Sequence, residues 1–263
     1  MTKSSLQTVE RAFDLLSLFS PTRQELGVAE ASRLLSLPMS NVHRLLVSLK
    51  TAGVLEQDSS SSRYSLSLRL WEIGSLATKR LDIKYVARPL LEQLSRDTSE
   101  TVFLAVLDGC DLLYLDRVDG DQDLRLLSRV GSRRPAHCMS SGLVILAFSP
   151  TPIVDAIIAK GLERYTPKTI SDPDAFRAEL ARIRTLGYAV NIEGRIIGVS
   201  GIAAPILDSE NYAVAAVSVS GPSARLTEDR FAVLAESVRD TAQRISAARG
   251  FGAWRMPTDL GFE

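Results

Sequence analysis

Hydrophobic and polar positions recur along this chain with two periods, and the change between them divides it. Leu6, Val9, Phe13 and Leu16 fall on one face at helical spacing. They predict a first helix that opens near Ser4, with Gln7 completing a capping box and Pro21 stopping it. Val28–Leu35 predicts a second helix with Val28, Ala31, Leu34 and Leu35 inward. Pro38 sits in the turn that follows. Ser40 is the expected N-cap of a third helix, in which Val42, Leu45, Leu46 and Leu49 face the core and which Gly53 closes. The period then shortens. Val54–Gln57 and Arg63–Leu66 read as a small hairpin around the polar run Asp58–Ser62. Leu70, Ile73 and Leu76, at intervals of three, predict a linker helix over Leu68–Leu81.

A second domain begins near Lys84. Val86, Leu90, Leu91 and Leu94 form an amphipathic stripe. Strands are expected over Thr101–Leu107, Asp111–Val118 and Leu124–Val130, the first two joined by a turn at Asp108-Gly109. Short helices follow at Ser140–Phe148 and Pro152–Lys160. Another opens at Asp172-Pro173, is lined by Phe176, Leu180 and Ile183, and ends at Gly187. Three more strands, Tyr188–Ile192, Gly198–Ala203 and Tyr212–Ser220, precede a long helix over Thr227–Arg249 with Phe231, Leu234, Val238 and Ile245 on one stripe. The expected organisation is therefore a head over residues 1–67, a linker helix over 68–83, a second domain over 84–250 and a tail without periodicity over 251–263. The fold class is α+β, and the second domain should hold an antiparallel sheet with helices packed on its faces.

Two short helices joined by a tight turn, followed by a hairpin, are the outline of a winged helix-turn-helix, a module that lays its second helix in the major groove. The outward residues at the start of that helix are Ser40, Asn41, His43 and Arg44, with Lys50 further along. Asn41 can pair with adenine and Arg44 with guanine, while Ser40 and Lys50 suit phosphates. His43 can either contact a base or pack at the helix surface. Arg63 is expected at the tip of the wing, where a cation reaches a minor groove or a phosphate. A protein-interaction domain with an ordinary charged face is the competing reading of the same helices.

Composition adds little to this. The chain has 263 residues, 31 basic and 31 acidic, so it is neutral overall. Ten basic and seven acidic residues up to Arg80 leave the head at +3 and the rest at −3, the direction that suits a DNA-binding head. Two cysteines do not make a disulfide framework. No apolar leader opens the chain, and no apolar run is long enough to span a bilayer, so a cytoplasmic protein without membrane partners is expected.

Three places in the second domain could carry chemistry. Ser140-Ser141-Gly142 opens a helix whose free N–H groups favour an anion, although from spacing alone plain N-capping by one serine is the better reading. Ser218 and Ser220 share one strand face. They either meet solvent or, if helices cover that face, line a polar pocket in which the small Gly201 and Ala203 leave room. His137-Cys138 invites a nucleophile reading, but neighbours in sequence do not make a triad. Two histidines and two cysteines at no recognised spacing give no metal site, and no phosphate-binding glycine pattern is present, so no cofactor is expected.

Taken together, SLQTVERAFDLLSLF, LPMSNVHRLLVSLKTAGVLE and RYSLSLRLWEIG, then VGSRRPAHCMSSGLVILAF, LGYAVNIEGRIIGVSGIAAPI and VAAVSVSGPSARL, resemble the IclR family of bacterial transcription regulators over nearly the whole chain. The resemblance implies a GAF-like second domain that binds small organic or aromatic acids, and dimers or dimers of dimers on pseudo-palindromic operators. It implies an effector pocket lined by Ser140, Ser141, Gly142, Asn191, Gly201, Ser218 and Ser220. The chain departs from the family pattern at several of these places. Leu143 stands where lysine is common, Gly194 where a second glutamate is, Asn191 where aspartate is, and Gly201 where cysteine is; the lost negative charge at Asn191 and lost bulk at Gly201 imply a different or larger ligand. In the head, Met39 replaces a usual lysine and Asn41 a usual threonine. The expected function is sequence-specific operator binding modulated by a small organic acid. The rival from another class is a small hydrolase using Cys138 or a serine, and a third reading is a protein-interaction adaptor.

Overall fold

The structure, a computed structural model, describes residues 7–20, 22–78, 83–121 and 128–248. The chain divides into two compact units, Met1–Leu81 and Asp82–Glu263. The expected capping box at Ser4, the stop at Pro21, the end of the linker helix at Leu81, most of the strand over Leu124–Val130 and the tail lie outside the described residues.

In the first unit, α1 (Gln7–Leu16), α2 (Val28–Leu35) and α3 (Met39–Thr51) surround a core of Leu15, Leu26, Ala31, Val42, Leu46, Leu55 and Tyr64, each at most 2% exposed. The turn between α2 and α3 is closed by Ser36 in the left-handed region and by the Ser32 hydroxyl, which donates to the Leu37 carbonyl at 2.6 Å. α3 starts two residues earlier than a Ser40 N-cap would place it. Pro38 is its N-cap, and its carbonyl accepts from Asn41 and Val42 N–H. Ser40 therefore sits in the first turn and caps nothing. At the other end Gly53 N–H donates to Lys50 O and Val54 N–H to Leu49 O, a Schellman closure that aims the chain into the wing. Strands β1 (Glu25–Leu26), β2 (Leu55–Gln57) and β3 (Tyr64–Leu66) pair in the order β1-β3-β2, and α4 (Leu68–Thr78) follows.

The second unit opens with α5 (Ile83–Thr98), whose buried stripe is Ile83, Ala87, Leu91 and Leu94. A six-stranded antiparallel sheet is built from β4 (Thr101–Asp108), β5 (Asp111–Val118), β6 (Arg133–Pro135), β7 (Ala189–Ile192), β8 (Val199–Leu207) and β9 (Ala213–Pro222), in the order β6-β5-β4-β9-β8-β7. Among the described residues, the strand on the outer side of β5 is Arg133–Pro135, which pairs with Asp111–Leu113. Residues 128–130 belong to no strand, and Gly131 N–H bonds to the Tyr114 carbonyl to turn the chain into β6.

Both faces of this sheet are covered. Phe103, Ala105, Ala203 and Ala216 pack with α6 (Ser140–Ala147), α7 (Thr151–Lys160) and α8 (Pro173–Leu186). The alternating residues Val102, Leu104, Ile202, Ala204, Val217 and Val219 are equally buried, on the face where α5 and α9 (Glu228–Ala248) contact β4 and β8. Ser218 is consequently 2% exposed, and the solvent-facing reading of the serine face is overturned. Glu100, also 2% exposed, accepts two bonds from Arg225, at 2.8 and 2.7 Å, and one from Arg230 at 3.2 Å, which ties the start of β4 to the start of α9. A buried carboxylate is tolerable only when paired in this way.

Candidate functional site

The head presents one polar helix face. The core takes Val42 and Leu46, which turns Ser40, His43 and Arg44 into solvent and leaves Asn41 half-buried beside them. Lys50 is exposed too, but its ammonium donates to Gln57 Oε1 at 2.9 Å and so leans on β2. Val47, 41% exposed, continues the row of Ser40, His43 and Arg44 one turn on. Reading for polar residues alone passed over it; the i+3 and i+4 spacing from Arg44 and His43 was the signal.

The wing differs from expectation. Its tip is Asp58–Ser62, organised by the Asp58 carboxylate, which accepts from the Ser60 and Ser61 N–H groups and from the Ser60 hydroxyl. Those bonds hold the Asp58 pKa far below the usual carboxylate range, so the tip stays anionic. Arg63 is not at the tip. Its guanidinium donates to Glu30 Oε2 at 2.9 Å and to the Glu25 carbonyl at 3.0 Å, with the Glu25 carboxylate 3.5 Å away. Two carboxylates at the base of the wing hold it where a phosphate was expected to.

The second unit holds a partly enclosed cavity of about 110 Å³ between the sheet and the segment entering α6. Ser140, Asn191, Gly201 and Ser220 line it, as the sequence suggested. Gly201 pairs with Ser220 across β8 and β9. A methyl carbon on Gly201 would lie 2.7 Å from Ser220 Oγ and 3.2 Å from Ser140 Oγ, so the missing side chain is what lets two hydroxyls converge. Asn191 uses its amide structurally. Nδ2 donates to the Cys138 carbonyl at 3.0 Å and Oδ1 accepts from Gly194 N–H at 2.8 Å. An aspartate could not make the first of these bonds.

Ser141, Gly142 and Ser218 do not line the cavity. Ser141 is buried at the start of α6, and Ser218 is sealed between Phe103 and Ala203 in the sheet. Gly142 serves packing: a Cβ there would stand 2.0 Å from the Ala136 carbonyl, so the backbone of residues 136–138 rests directly on α6. The cavity wall that the sequence did not disclose comprises Phe103 and Tyr114 from the sheet, Arg134, and Arg195 in the loop after β7. The Tyr114 and Phe103 rings are in contact, tilted by 42° with centroids 4.7 Å apart. Arg195 lies over the Tyr165 ring at 3.8 Å.

Cys138 also lines the cavity. Burial pushes its thiol up to about 12, against the pull of nearby Arg195, so it is neutral near pH 7. His137 points elsewhere: Nε2 bonds to the Glu163 carbonyl at 2.9 Å and the ring stacks on Tyr165. Neighbours in sequence, the two are engaged by different partners, His137 by Glu163 and Tyr165 and the Cys138 thiol by the Pro135 carbonyl.

Residues 8–59 match the IclR helix-turn-helix domain, and residues 75–247 match the bacterial transcriptional regulator IclR C-terminal domain. The chain belongs to the IclR family. It is a DNA-binding transcriptional regulator with a helix-turn-helix head and a C-terminal effector-binding domain. It is 34% identical to the transcriptional repressor AllR of Escherichia coli K12 over 94% of this chain and 92% of that protein. It is 35% identical to the regulator KipR of Bacillus subtilis 168 over 93% and 98%. Among solved structures it is similar to Thermotoga maritima IclR, with 31% identity, a TM-score of 0.77 and coverage of 94% and 100%. A Microbacterium hydrocarbonoxydans IclR homologue, solved in complex with 4-hydroxybenzoate, is 29% identical with a TM-score of 0.81 and coverage of 92% and 98%. Among the described residues of this IclR-family chain, no helix is long and apolar enough to cross a membrane.

Proposed function

We propose that this regulator reads its operator with Ser40, Asn41, His43 and Arg44 of α3, working as a dimer or dimer of dimers, and that a small organic acid in the cavity of the second unit controls that contact. What carries the reading is the convergence of Ser140, Gly201 and Ser220 on one cavity, beside guanidinium groups, in a chain whose head exposes a polar helix face. Arg44 suits a guanine edge and Asn41 an adenine, while Val47 offers a methyl contact to thymine. Ser40 suits a phosphate, and Lys50, leaning on the wing, a second one. Two heads facing half-sites about 34 Å apart would match a pseudo-palindrome. An acid that binds one conformation better shifts the equilibrium by that difference in affinity.

The 4-hydroxybenzoate complex of the similar Microbacterium protein supports an organic acid as the ligand class. A neutral Cys138 thiol and a His137 ring turned to Glu163 favour a binding pocket over a hydrolytic one, and work in the cytoplasm accords with both. The test is a mobility shift on the DNA upstream of the protein's own gene, with Arg44→Ala and with Ser140→Ala/Ser220→Ala. Loss of specific retardation in the first, and loss of acid response with retained retardation in the second, are expected. Operator binding indifferent to Arg44 would sink the α3 assignment. Acid response indifferent to both serines would sink the pocket.

A further inference from the structure

The cavity holds a charge that one carboxylate does not balance. Its lining includes two guanidinium groups, Arg134 and Arg195, and among the described residues that line it none is an aspartate or glutamate. Among the described residues no carboxylate lies within ion-pair distance of either arginine. Arg134 spends one N–H on the neighbouring Arg133 carbonyl, at 2.7 Å. Arg195 Nε is buried and has no partner among the described residues, while the group itself lies over Tyr165. Asn191, being neutral, contributes no counter-charge, and Tyr114 and Cys138 are held in their neutral forms by burial. Two positive charges thus face one small cavity, and the buried open donor of Arg195 is costly until an anionic group enters to accept from it. Guanidinium groups are suited to carboxylates because their planar fork meets both oxygens.

We propose that the effector is a short dicarboxylate, with one carboxylate held by Arg134, the other by Arg195, and the chain between them against Phe103 and Tyr114. This rests on the pocket reading above. A single carboxylate would leave one guanidinium unbalanced, so discrimination should lie in the second charge.

The experiment is calorimetric titration of the full-length protein with matched acids: succinate against butyrate, glutarate against valerate, and inorganic phosphate alone. The dicarboxylate of a pair is expected to bind about ten- to a hundredfold tighter than its partner, the range set by one charge-assisted hydrogen-bonded contact. Arg134→Gln and Arg195→Gln should each bring the dicarboxylate down to the monocarboxylate, and Arg195→Lys should restore part of the difference. Thermal melts identify any variant that fails to fold. If Arg195→Gln does, Arg134→Gln and Arg195→Lys decide. Equal binding within each pair, abolished by Gly201→Leu, would overturn the two-charge assignment and leave the pocket standing. Phosphate binding tighter than either dicarboxylate, and dependent on both arginines, would overturn it in favour of a phosphate ester. No binding of any of these probes would overturn the dicarboxylate assignment and leave the pocket standing, and probe binding that is indifferent to Gly201→Leu would remove the pocket reading and this inference with it.

Discussion

Tyr114 and Asp116 are separated by one residue in β5 yet face opposite sides of the sheet. Tyr114 pairs with Ala105 and Asp116 with Leu104, so Leu115 is the extra residue of a β-bulge. Without it, period-two alternation would put both side chains on the cavity side. With it, Tyr114 lines the cavity while Asp116 turns to α5, where Oδ1 accepts from Arg88 at 3.1 Å and stands 4.0 Å from the Lys84 ammonium. Asp116 is 3% exposed; Oδ1 also accepts from the Arg117 N–H at 2.9 Å, and Oδ2 has no partner among the described residues. The bulge therefore joins the wall of the cavity to the first turns of the helix that follows the linker sequence.

Asp116→Asn tests that connection. The hypothesis, motivated by the bulge, is that the carboxylate conveys cavity occupancy to α5. Neutralising it should leave acid affinity within about twofold, while the acid-dependent change in operator affinity falls by about 1 kcal/mol, within the usual range of coupling energies. Fluorescence anisotropy on labelled operator, with and without acid, measures both. Undiminished coupling would mean that Asp116 serves only to seat α5.

Arg63 and Arg44 should separate cleanly. Arg63 is bound by Glu25 and Glu30, so Arg63→Ala is expected to lower the melting temperature of the protein and leave the salt dependence of operator binding unchanged. Arg44 makes no such contacts and is exposed, so Arg44→Ala should cost about 1–3 kcal/mol of specific binding and relax specificity at one base pair. Binding measured over a salt series, beside thermal melts, distinguishes the two. A shallower salt slope for Arg63→Ala would return that residue to the DNA surface.

The contrast shows where the sequence was legible. Periodicity disclosed the head's helices and most of the sheet, because Val42, Leu46, Phe176 and Ile183 recur at intervals that only one secondary structure satisfies. It failed where side chains are committed by tertiary contacts. Nothing local says that Arg63 meets Glu30, 33 residues away. Nor does anything local place Arg134 and Arg195 on one cavity, since they come from β6 and from a loop 61 residues further on. Ser140, Gly201 and Ser220 were found because small and hydroxylated residues stand out within apolar strands. Ser141, Gly142 and Ser218 were included by the same signal, although burial and close backbone packing explain them. Val47 was passed over because an outward valine on a recognition helix looks like core until its neighbours are placed.

Gly201 should be intolerant of any side chain. A Cβ would sit 2.7 Å from Ser220 Oγ and 3.1 Å from the Val219 carbonyl, and the second of these is backbone and does not yield. Gly201→Ala is expected to cost about 1 kcal/mol or more of stability through overpacking. It should also weaken acid binding by about tenfold, because the displaced hydroxyl is a cavity group and one hydrogen bond is worth about that much. Denaturant melts and calorimetry read the two effects. Unchanged affinity in Gly201→Ala would place the ligand away from the β8–β9 serine.

Alkaline stability carries a signature of the same cavity. Burial pushes Cys138 from 9.0 up to about 12 and Tyr114 from 10.0 up to about 12. Each is an acid whose folded form resists ionisation, so the unfolded chain loses these protons first. The contribution of each group is fully present below its unfolded value and is lost as pH rises towards the folded value. Stability should therefore begin to fall above pH 9 through Cys138 and more steeply above pH 10 as Tyr114 joins. Cys138→Ala should flatten the limb between pH 9 and 10 and leave the steeper part, while Tyr114→Phe should do the reverse. Urea midpoints measured from pH 7 to 11 provide the check. A limb between pH 9 and 10 that is unaltered by Cys138→Ala would mean that the thiol ionises freely and that water reaches this wall of the cavity.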